Sequence, residues 1–301
     1  MQWDDVCAQP PRIIGAAGRQ QWAVDGYVAF PGLLQEGDLA PLRRALDELI
    51  DQSRSLSESS HYFDLDAGHT AESPRLRRTA CIDDADDAVW DFCRSSVLVD
   101  IAADVLGENV RFREAYANLK WAGGGAAVEW HQDLAFYPHT NTGTCQFIVA
   151  LNEVTADRAP LTVLPGSHRQ PLRSHYASDG RWVGSVDTDD LDPDELAAAV
   201  QLTGPAGSVS VHHGLLLHYS APNHSQRSRP VFVITYTAAD SIPYTSAPYR
   251  SSHYGTIVRG VEPGIAHHEE LTMTLPPDWS DGYTSLFAHQ ASDQPIRPME
   301  N

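Results

Sequence analysis

The middle of the chain alternates between short apolar runs and polar turn residues, and this pattern predicts β-strands. A partial period of two covers residues 110–121 and ends at three consecutive glycines. Further apolar runs, separated by Gly, Pro or Asn, lie at residues 145–151, 161–164, 207–213, 215–218 and 231–237. Short strands punctuated in this way favour a sandwich or jelly roll over alternating βαβ units.

Two segments before these strands have apolar residues at helical spacing, at 37–53 and 84–106. We expect these helices to pack against the outside of a barrel. The stretch between them, 54–76, is largely polar and is predicted to be a loop. The acidic stretch 174–195 separates the two halves of the barrel, where a long insertion forms either a lid or a surface loop.

We therefore predict one domain over residues 1–301, because all-β barrels often fill this length as a single unit. Its fold class is mainly β with flanking helices. The N-terminal helices would occupy about residues 19–107, the barrel core about 108–240 and a C-terminal extension 241–301. The extension would either close the pocket or contact a second subunit, in a protein that is a monomer or a homodimer.

Composition narrows the range of partners. A net charge of −19 disfavours nucleic acid, because phosphate binding needs clustered Lys and Arg, and it also disfavours a highly anionic substrate. No apolar run approaches the roughly 20 residues of a membrane span. The N-terminus carries acids where an export signal needs bases, and the 4 cysteines form no Cys-x-x-Cys pair. We expect a cytoplasmic protein that acts on a small molecule.

Candidate metal ligands stand in two segments, Trp-His-Gln-Asp at 130–133 and Leu-His-Tyr-Ser at 217–220. His131 and Asp133 are two positions apart, so on one strand their side chains point to the same side. His218 would reach the same ion from a neighbouring strand. Two imidazoles and one carboxylate suit a non-haem Fe(II) ion and leave coordination positions open for a cosubstrate and O2.

A rival cluster exists near the C-terminus. One His-x-Asp triplet is a weak signal, since a chain with 14 histidines and 40 acidic residues contains such triplets by chance. The segment 267–270, His-His-Glu-Glu, supplies two further such spacings. It lies in a stretch without an apolar run, which favours a solvated surface cluster, whereas predicted strands surround His131.

Several motifs occur in an order and spacing that resemble the phytanoyl-CoA dioxygenase family of Fe(II)/2-oxoglutarate-dependent oxygenases. The matching segments are DGYVAF at 25–30, GLL at 32–34, HQDL at 131–134, LPGSH at 164–168 and HYSAPNHS at 218–225, followed by Arg227 and Arg229. Together they cover most of residues 20–238. The segment 158–160, Arg-Ala-Pro, departs from the family, which commonly places Asn-Gly here; the departure concerns a local turn. The resemblance implies a double-stranded β-helix, a jelly-roll or cupin-like barrel.

The resemblance also implies roles for individual residues. His131, Asp133 and His218 would ligate iron. Arg229 would bind the distal carboxylate of 2-oxoglutarate, and Ser220 would hydrogen-bond the same group. The chemistry of the side chain agrees, because a planar guanidinium binds a carboxylate through two N–H groups, which an ammonium cannot do.

Other residues near these positions have less specific roles. Lys120 would contact the cosubstrate or the substrate, or else face solvent. Trp130, Phe136 and Tyr137 would line a substrate pocket, although aromatic residues near a strand are more often core. The His-His pair at 212–213 is interpreted as part of the barrel wall, or as a partner that orients a metal ligand.

The implied activity is hydroxylation of an unactivated C–H of a small-molecule metabolite in natural-product (secondary) metabolism, with release of succinate and CO2. Fe(II) is the metal, 2-oxoglutarate and O2 are cosubstrates, and ascorbate supports the reaction in vitro. Halogenating relatives lack the carboxylate, so Asp133 favours hydroxylation. Desaturation, cyclisation and epimerisation would use the same ligands. A cupin-like metal enzyme without 2-oxoglutarate and a non-catalytic cupin-like binding protein are the alternatives of other classes.

Overall fold

The computed structural model describes residues 3–279 and 286–291, and two antiparallel sheets form its centre. In chain order the strands are β1 (Tyr27–Phe30), β2 (Phe63–Leu65), β3 (Leu76–Ala80), β4 (Val110–Lys120), β5 (Val128–His131), β6 (Thr144–Ala150), β7 (Leu161–Val163), β8 (Val200–Leu202), β9 (Val209–His213), β10 (His218–Ser220), β11 (Arg229–Ala238) and β12 (Ile257–Arg259).

The order of strands within each sheet shows how the barrel is wound. The larger sheet runs β1-β9-β6-β11-β4-β3-β2, with β12 also paired to β4, and the smaller sheet runs β5-β10-β7-β8. Strands from before and after the long insertion therefore alternate throughout the smaller sheet and from β1 to β4 of the larger sheet, which β3 and β2 extend at its edge. This interleaving confirms the predicted double-stranded β-helix.

The first five of the helices that the structure describes pack on the side of the larger sheet, and the last two lie beside the smaller sheet. In chain order the helices are α1 (Trp3–Ala8), α2 (Gly15–Asp25), α3 (Glu36–Gln52), α4 (Asp87–Ser95), α5 (Val97–Leu106), α6 (Pro193–Ala197) and α7 (Leu286–Ala291). The predicted helix at 37–53 is confirmed as α3. The predicted segment 84–106 instead forms the two helices α4 and α5, because the side chain of Ser96 caps the second by accepting a hydrogen bond from the N–H of Leu98.

The two faces of β11 serve different purposes. Phe232, Ile234 and Tyr236 belong to the apolar core that the larger sheet shares with the helices. The alternate residues point to the other face, between the sheets, where Arg229 and Val231 line a cavity. A strand buried on both faces is apolar over most of its length, which explains why residues 231–237 form a continuous apolar run.

Two irregular regions differ from their predictions in detail. The predicted loop 54–76 contains β2 and the first residue of β3, which the pattern did not reveal because three residues are too few for a period to show. In the extension after residue 240, β12 adds to the larger sheet beside β4. Within the described ranges, no helix is both long enough and apolar enough to cross a membrane.

Phe232→Ala should lower the free energy of unfolding by about 3–5 kcal/mol, because removal of a fully buried ring leaves a cavity between the sheet and α4. Urea unfolding followed by tryptophan fluorescence measures the change. Tyr244→Ala removes a ring that is 56% exposed and should cost no more than about 0.5 kcal/mol. Equal losses in the two variants would contradict the assignment of Phe232 to the core.

Candidate metal centre and active site

The two candidate histidine ligands face each other across adjacent strands of the smaller sheet. β5 and β10 are antiparallel, and His131 lies opposite His218. Their ring centres are 4.1 Å apart, and both side chains are buried. Strand pairing therefore brings together two histidines that stand far apart in the sequence.

Asp133 joins them from the turn that follows β5. The strand ends at His131 and a 3-10 turn begins at Asp133, so the expectation that both residues lie on one strand is wrong. Gln132 between them keeps an extended backbone, which directs both side chains to the same side. Oδ1 of Asp133 lies 3.8 Å from Nε2 of His131 and 3.6 Å from Nε2 of His218. One ligand atom from each residue lies within 4.8 Å of the others, a spacing that could hold a metal ion.

Backbone carbonyl groups orient both imidazole rings. Nδ1 of His131 lies 2.7 Å from the carbonyl oxygen of Glu129, and Nδ1 of His218 lies 2.9 Å from that of Leu216. A carbonyl oxygen can only accept, so Nδ1 carries the proton in each ring and Nε2 keeps its lone pair. In both rings the nitrogen nearest Asp133 is therefore the unprotonated Nε2. A neutral imidazole with a free lone pair is the form in which histidine binds a metal.

Burial sets the charge of this cluster. Desolvation lowers the pKa of both His131 and His218, so the rings are neutral near pH 7. Burial opposes ionisation of Asp133, but the electrostatic influence of His218 and a hydrogen bond from His212 outweigh it and hold the pKa of Asp133 well below its ordinary value. Two neutral nitrogens and one anionic oxygen match the donor set that favours non-haem Fe(II).

His212 holds the carboxylate of Asp133 from the opposite sheet. It lies on β9, fully buried, and its Nε2 donates a hydrogen bond to Oδ2 of Asp133 at 3.0 Å. This contact leaves Oδ1 for the side of the ligand histidines. His213 points elsewhere, and its Nδ1 accepts a hydrogen bond from the N–H of Leu215 at 3.1 Å. The structure thus places His212, and not His213, in contact with Asp133, and its role in orienting a metal ligand stays a prediction.

A buried guanidinium lies elsewhere in the space between the sheets. Arg229 is the first residue of β11 and pairs with Lys120 of β4. Burial lowers the pKa of Arg229 to about 10, which leaves it charged at pH 7. Its Nε has no hydrogen-bond partner, and no carboxylate among residues 3–279 and 286–291 forms an ion pair with it. A buried charge without a counterion is unfavourable, so this position fits an anionic ligand.

Lys120 is buried, so the alternative that it faces solvent is wrong. Its Nζ donates to the carbonyl oxygen of Ser220 at 2.7 Å and to that of Ala221. Burial, and then the charge of Arg229, lowers the pKa of Lys120 to about 6, so the amine is mostly neutral at pH 7. Ser220 is buried as well, on the same strand as His218.

A cavity opens over the ligand cluster. Its empty space, with the open solvent at its mouth included, is about 490 Å³. Its wall consists of Arg78, Arg113, Glu114, Tyr116, His131, Asp133, Phe136, Tyr137, Gln146, Pro248, Tyr249, Trp279 and Leu286. Phe136 and Tyr137, which we expected in a substrate pocket, both lie in this wall.

Both the acidic insertion and the C-terminal extension contribute to this part of the molecule. Trp182 of the insertion meets Phe136 edge to face, with ring centres 5.3 Å apart. Trp279 donates its Nε1–H to the carbonyl oxygen of Phe136 at 3.2 Å, and Leu286 of α7 lines the cavity. The two stretches therefore pack beside the active-site cavity.

Trp130 lies elsewhere, and the expectation that it lines the substrate pocket is corrected. Adjacent residues of a strand point to opposite faces, so Trp130 points away from the side that His131 faces. Its ring stacks on Tyr219, with centres 5.4 Å apart, and it packs with Leu164 and Leu217. Trp130 is thus a core residue on the outer face of the smaller sheet.

Sequence patterns missed several residues of the cavity wall. Arg78 lies on β3, a strand that no apolar period predicted, and Tyr249 and Trp279 lie in the irregular extension. None of these residues belongs to a motif at ligand spacing. The order of the strands and the path of the extension bring them to the cavity.

The rival segment 267–270 forms surface contacts instead of a metal site. The carboxylate of Glu269 accepts hydrogen bonds from the backbone N–H and the hydroxyl of Thr142, at 3.0 and 2.9 Å. Within the part of the chain that the structure describes, one further group has metal-like spacing, namely Asp83, Asp84 and His253.

A jelly-roll barrel with a two-histidine, one-carboxylate cluster and a buried guanidinium defines the class of non-haem Fe(II)/2-oxoglutarate oxygenases. The sequence profile described as Phytanoyl-CoA dioxygenase (PhyH) matches residues 22–231. The chain belongs to this family, and it is an Fe(II)- and 2-oxoglutarate-dependent oxygenase.

Curated relatives and solved structures agree with this assignment. The chain is 28% identical over 266 residues (87% of this chain, 92% of the relative) to a "Probable alpha-ketoglutarate-dependent hypophosphite dioxygenase" of Stutzerimonas stutzeri. It is 29% identical over 237 residues (73% and 85%) to L-proline trans-4-hydroxylase of Streptomyces griseoviridis. Its fold is similar to that of EctD from S. alaskensis with 2-oxoglutarate and 5-hydroxyectoine (TM-score 0.65, 21% identity, 88% and 94% covered). It is also similar to the carbocyclase SnoK from nogalamycin biosynthesis (TM-score 0.61, 19% identity, 77% and 88% covered).

His131→Ala should weaken binding of Mn(II), a redox-stable probe for the iron site, by at least about 100-fold, because it removes one of three protein ligands. Calorimetric titration of the purified protein measures the dissociation constant. His268→Ala, in the exposed rival segment, is the matched control and should leave the constant unchanged. The opposite ranking of the two variants would place the metal at 267–270.

His212→Leu should weaken Mn(II) binding by about 10–100-fold, because Asp133 loses the hydrogen bond that holds its Oδ2. His212→Gln keeps an N–H donor and should restore part of the affinity. The same titration measures both variants, and the thermal midpoint of each apoprotein shows whether it folds. Equal affinity in both folded variants would contradict an orienting role for His212.

Proposed function

We propose that this protein hydroxylates an unactivated C–H of a small-molecule metabolite, with His131, Asp133 and His218 as the iron ligands. When bound, Fe(II) and 2-oxoglutarate supply the oxidative chemistry, which consumes O2 and releases succinate and CO2. The observation that carries the proposal is the convergence of three ligand atoms within 4.8 Å, in a barrel that also buries the charged Arg229.

The interior of the barrel provides the 2-oxoglutarate site in this proposal. Arg229 binds the distal carboxylate of the cosubstrate through two N–H groups, and the hydroxyl of Ser220 donates to the same carboxylate. Lys120 pairs with Arg229 across β4 and β11 and holds the backbone carbonyl groups of Ser220 and Ala221. It thereby positions β10 beside the guanidinium.

Asp133 supports hydroxylation over halogenation. A carboxylate in the third ligand position occupies the place that a halide would need. His212 fixes this carboxylate by its hydrogen bond, so Asp133 keeps one orientation. The cavity wall next to His131 and Asp133, which includes Phe136 and Tyr137, then selects which carbon of the substrate lies at the centre.

The names of the relatives and structural neighbours support a small substrate. One relative is an L-proline hydroxylase, and one neighbour is a carbocyclase from nogalamycin biosynthesis. We therefore place the reaction in natural-product metabolism. Cyclisation, desaturation or epimerisation by the same ligand set is the alternative outcome, and product analysis distinguishes it from hydroxylation by the gain of one oxygen atom.

A second candidate function is oxidation of hypophosphite. It rests on the relative named for that activity, which this chain matches over 92% of the relative's length. The apolar part of the cavity wall, formed by Phe136, Pro248 and Leu286, favours an organic substrate over a small inorganic ion.

Arg229→Ala should raise the apparent KM for 2-oxoglutarate by about 10–100-fold, since a charge-assisted bidentate contact contributes roughly 1.5–3 kcal/mol. The assay follows succinate release with Fe(II), ascorbate and O2 in the absence of added substrate. Arg229→Lys should fall between the wild type and Arg229→Ala. Arg227→Ala, two positions earlier in the chain and exposed, is the matched control and should match the wild type.

Other outcomes of the succinate assay and of the Mn(II) titration favour the other two classes of protein, the cupin-like enzyme and the binding protein. Binding of Mn(II) that 2-oxoglutarate does not affect would favour a cupin-like enzyme that lacks this cosubstrate. Failure of the folded wild type to bind Mn(II) would favour a non-catalytic binding protein. Loss of succinate release in His131→Ala, with weakened turnover in Arg229→Ala, would support the proposal.

A further inference from the structure

The segment 173–186, which contains the first part of the acidic insertion, covers the free edge of β5. This strand is the outermost one of the smaller sheet, and its other edge pairs with β10. The carbonyl oxygen of Trp130 points to the free edge and accepts a hydrogen bond from the N–H of Val186 at 2.7 Å. Backbone groups on an uncovered edge would stay unpaired. The insertion therefore completes the strand that carries His131.

A histidine side chain continues the cover of this edge. Nε2 of His175 accepts a hydrogen bond from the backbone N–H of Gln132 at 3.0 Å, and both residues are 1% exposed. Nδ1 of His175 lies 3.0 Å from the carbonyl oxygen of Arg173. A carbonyl oxygen can only accept, so Nδ1 carries the proton and the neutral ring keeps its Nε2 lone pair for Gln132. One tautomer of His175 therefore makes both contacts.

The side-chain amide of Gln132 is hydrogen-bonded at both ends. Its Oε1 accepts from the backbone N–H of Arg173 at 2.8 Å, and its Nε2 donates to the carbonyl oxygen of Leu215 at 2.7 Å. Leu215 lies shortly before His218, in the loop that leads into β10. One buried amide thus joins the segment 173–186 to the strand that carries the last ligand.

Gln132 stands between two of the three candidate metal ligands. Its extended backbone sets the directions of His131 and Asp133, and its side chain holds the loop before His218. Removal of a group that orients metal ligands commonly lowers metal affinity by about 10–100-fold. A displacement of Gln132 would therefore affect the positions of all three ligand atoms.

We propose that docking of the segment 173–186 assembles the metal centre, with His175 and Gln132 as positioning residues. This inference rests on the proposed function, because it concerns the same three ligands. The effect is reciprocal: if docking raises the affinity for the metal by some factor, the bound metal favours docking by the same factor. The metal site and the contact of Trp182 with Phe136 beside the cavity are therefore formed together.

His175→Phe keeps a buried ring but removes the acceptor for the N–H of Gln132, and should weaken Mn(II) binding by about 10–100-fold. His175→Gln supplies an amide oxygen as acceptor and should bind Mn(II) at least about threefold more tightly than His175→Phe. Calorimetric titration measures both constants, and the thermal midpoint of each apoprotein shows whether it folds. Tyr176→Phe is the matched control, because it removes a hydrogen bond from the same segment to Leu275 and leaves Gln132 untouched.

Hydrogen exchange of the wild type tests the reciprocal effect without any substitution. The N–H groups of Arg173 and Val186 bond to the segment that carries His131, so their exchange reports docking. Saturating Mn(II) should slow the exchange of both by at least about tenfold. The N–H of Asp66, which bonds to the carbonyl oxygen of Arg75 beside β2 and β3, is the control and should exchange at the same rate in both samples.

Weaker Mn(II) binding in folded His175→Phe, recovery in His175→Gln and slower exchange in the metal-loaded wild type support the proposal. Unchanged Mn(II) affinity in folded His175→Phe, or equal exchange of the wild type with and without Mn(II), would overturn it and leave the oxygenase function intact. If His175→Phe does not fold, the exchange measurement on the wild type decides alone. A wild type that binds no Mn(II) would overturn this proposal together with the proposed function.

Discussion

The antiparallel pairing of β5 with β10 is the contact on which the candidate metal centre depends. It places His131 opposite His218, and the turn after β5 adds Asp133 between them. Each group is then fixed by a second contact: backbone carbonyls hold the two rings, and His212 holds the carboxylate. Two neutral nitrogens and one carboxylate are therefore buried together. A bound cation would balance the charge of the buried carboxylate and accept the lone pairs of both nitrogens.

The larger sheet supports this centre by having two unlike faces. Its outer face packs Phe232, Ile234 and Tyr236 against helices and supplies most of the apolar core. Its inner face carries polar groups, among them His212 and Arg229, whose burial would be unfavourable in an ordinary core. Because every second residue of a strand points inward, one sheet combines a stable outer layer with a reactive interior.

Electrostatics inside the barrel differ from those of the chain as a whole. The chain is strongly acidic, yet its interior holds Arg229, charged despite burial, beside Lys120, which burial and its neighbour make mostly neutral. Arg78 lies in the wall of the cavity beside His131 and Asp133. The anion site that we propose at Arg229 is therefore a property of the interior and not of the surface.

The sequence by itself determined the long strands β4, β6, β9 and β11, the family and the three candidate ligands, because periodicity and motif spacing are local properties. It placed Asp133 on a strand and Trp130 in the pocket, and it left Lys120 undecided between solvent and cofactor. Only the tertiary structure decided these points and brought Arg78 and Trp279 to the cavity. The physical reason is that periodicity reports which face of one segment is buried, whereas strand pairing decides which segments that face meets.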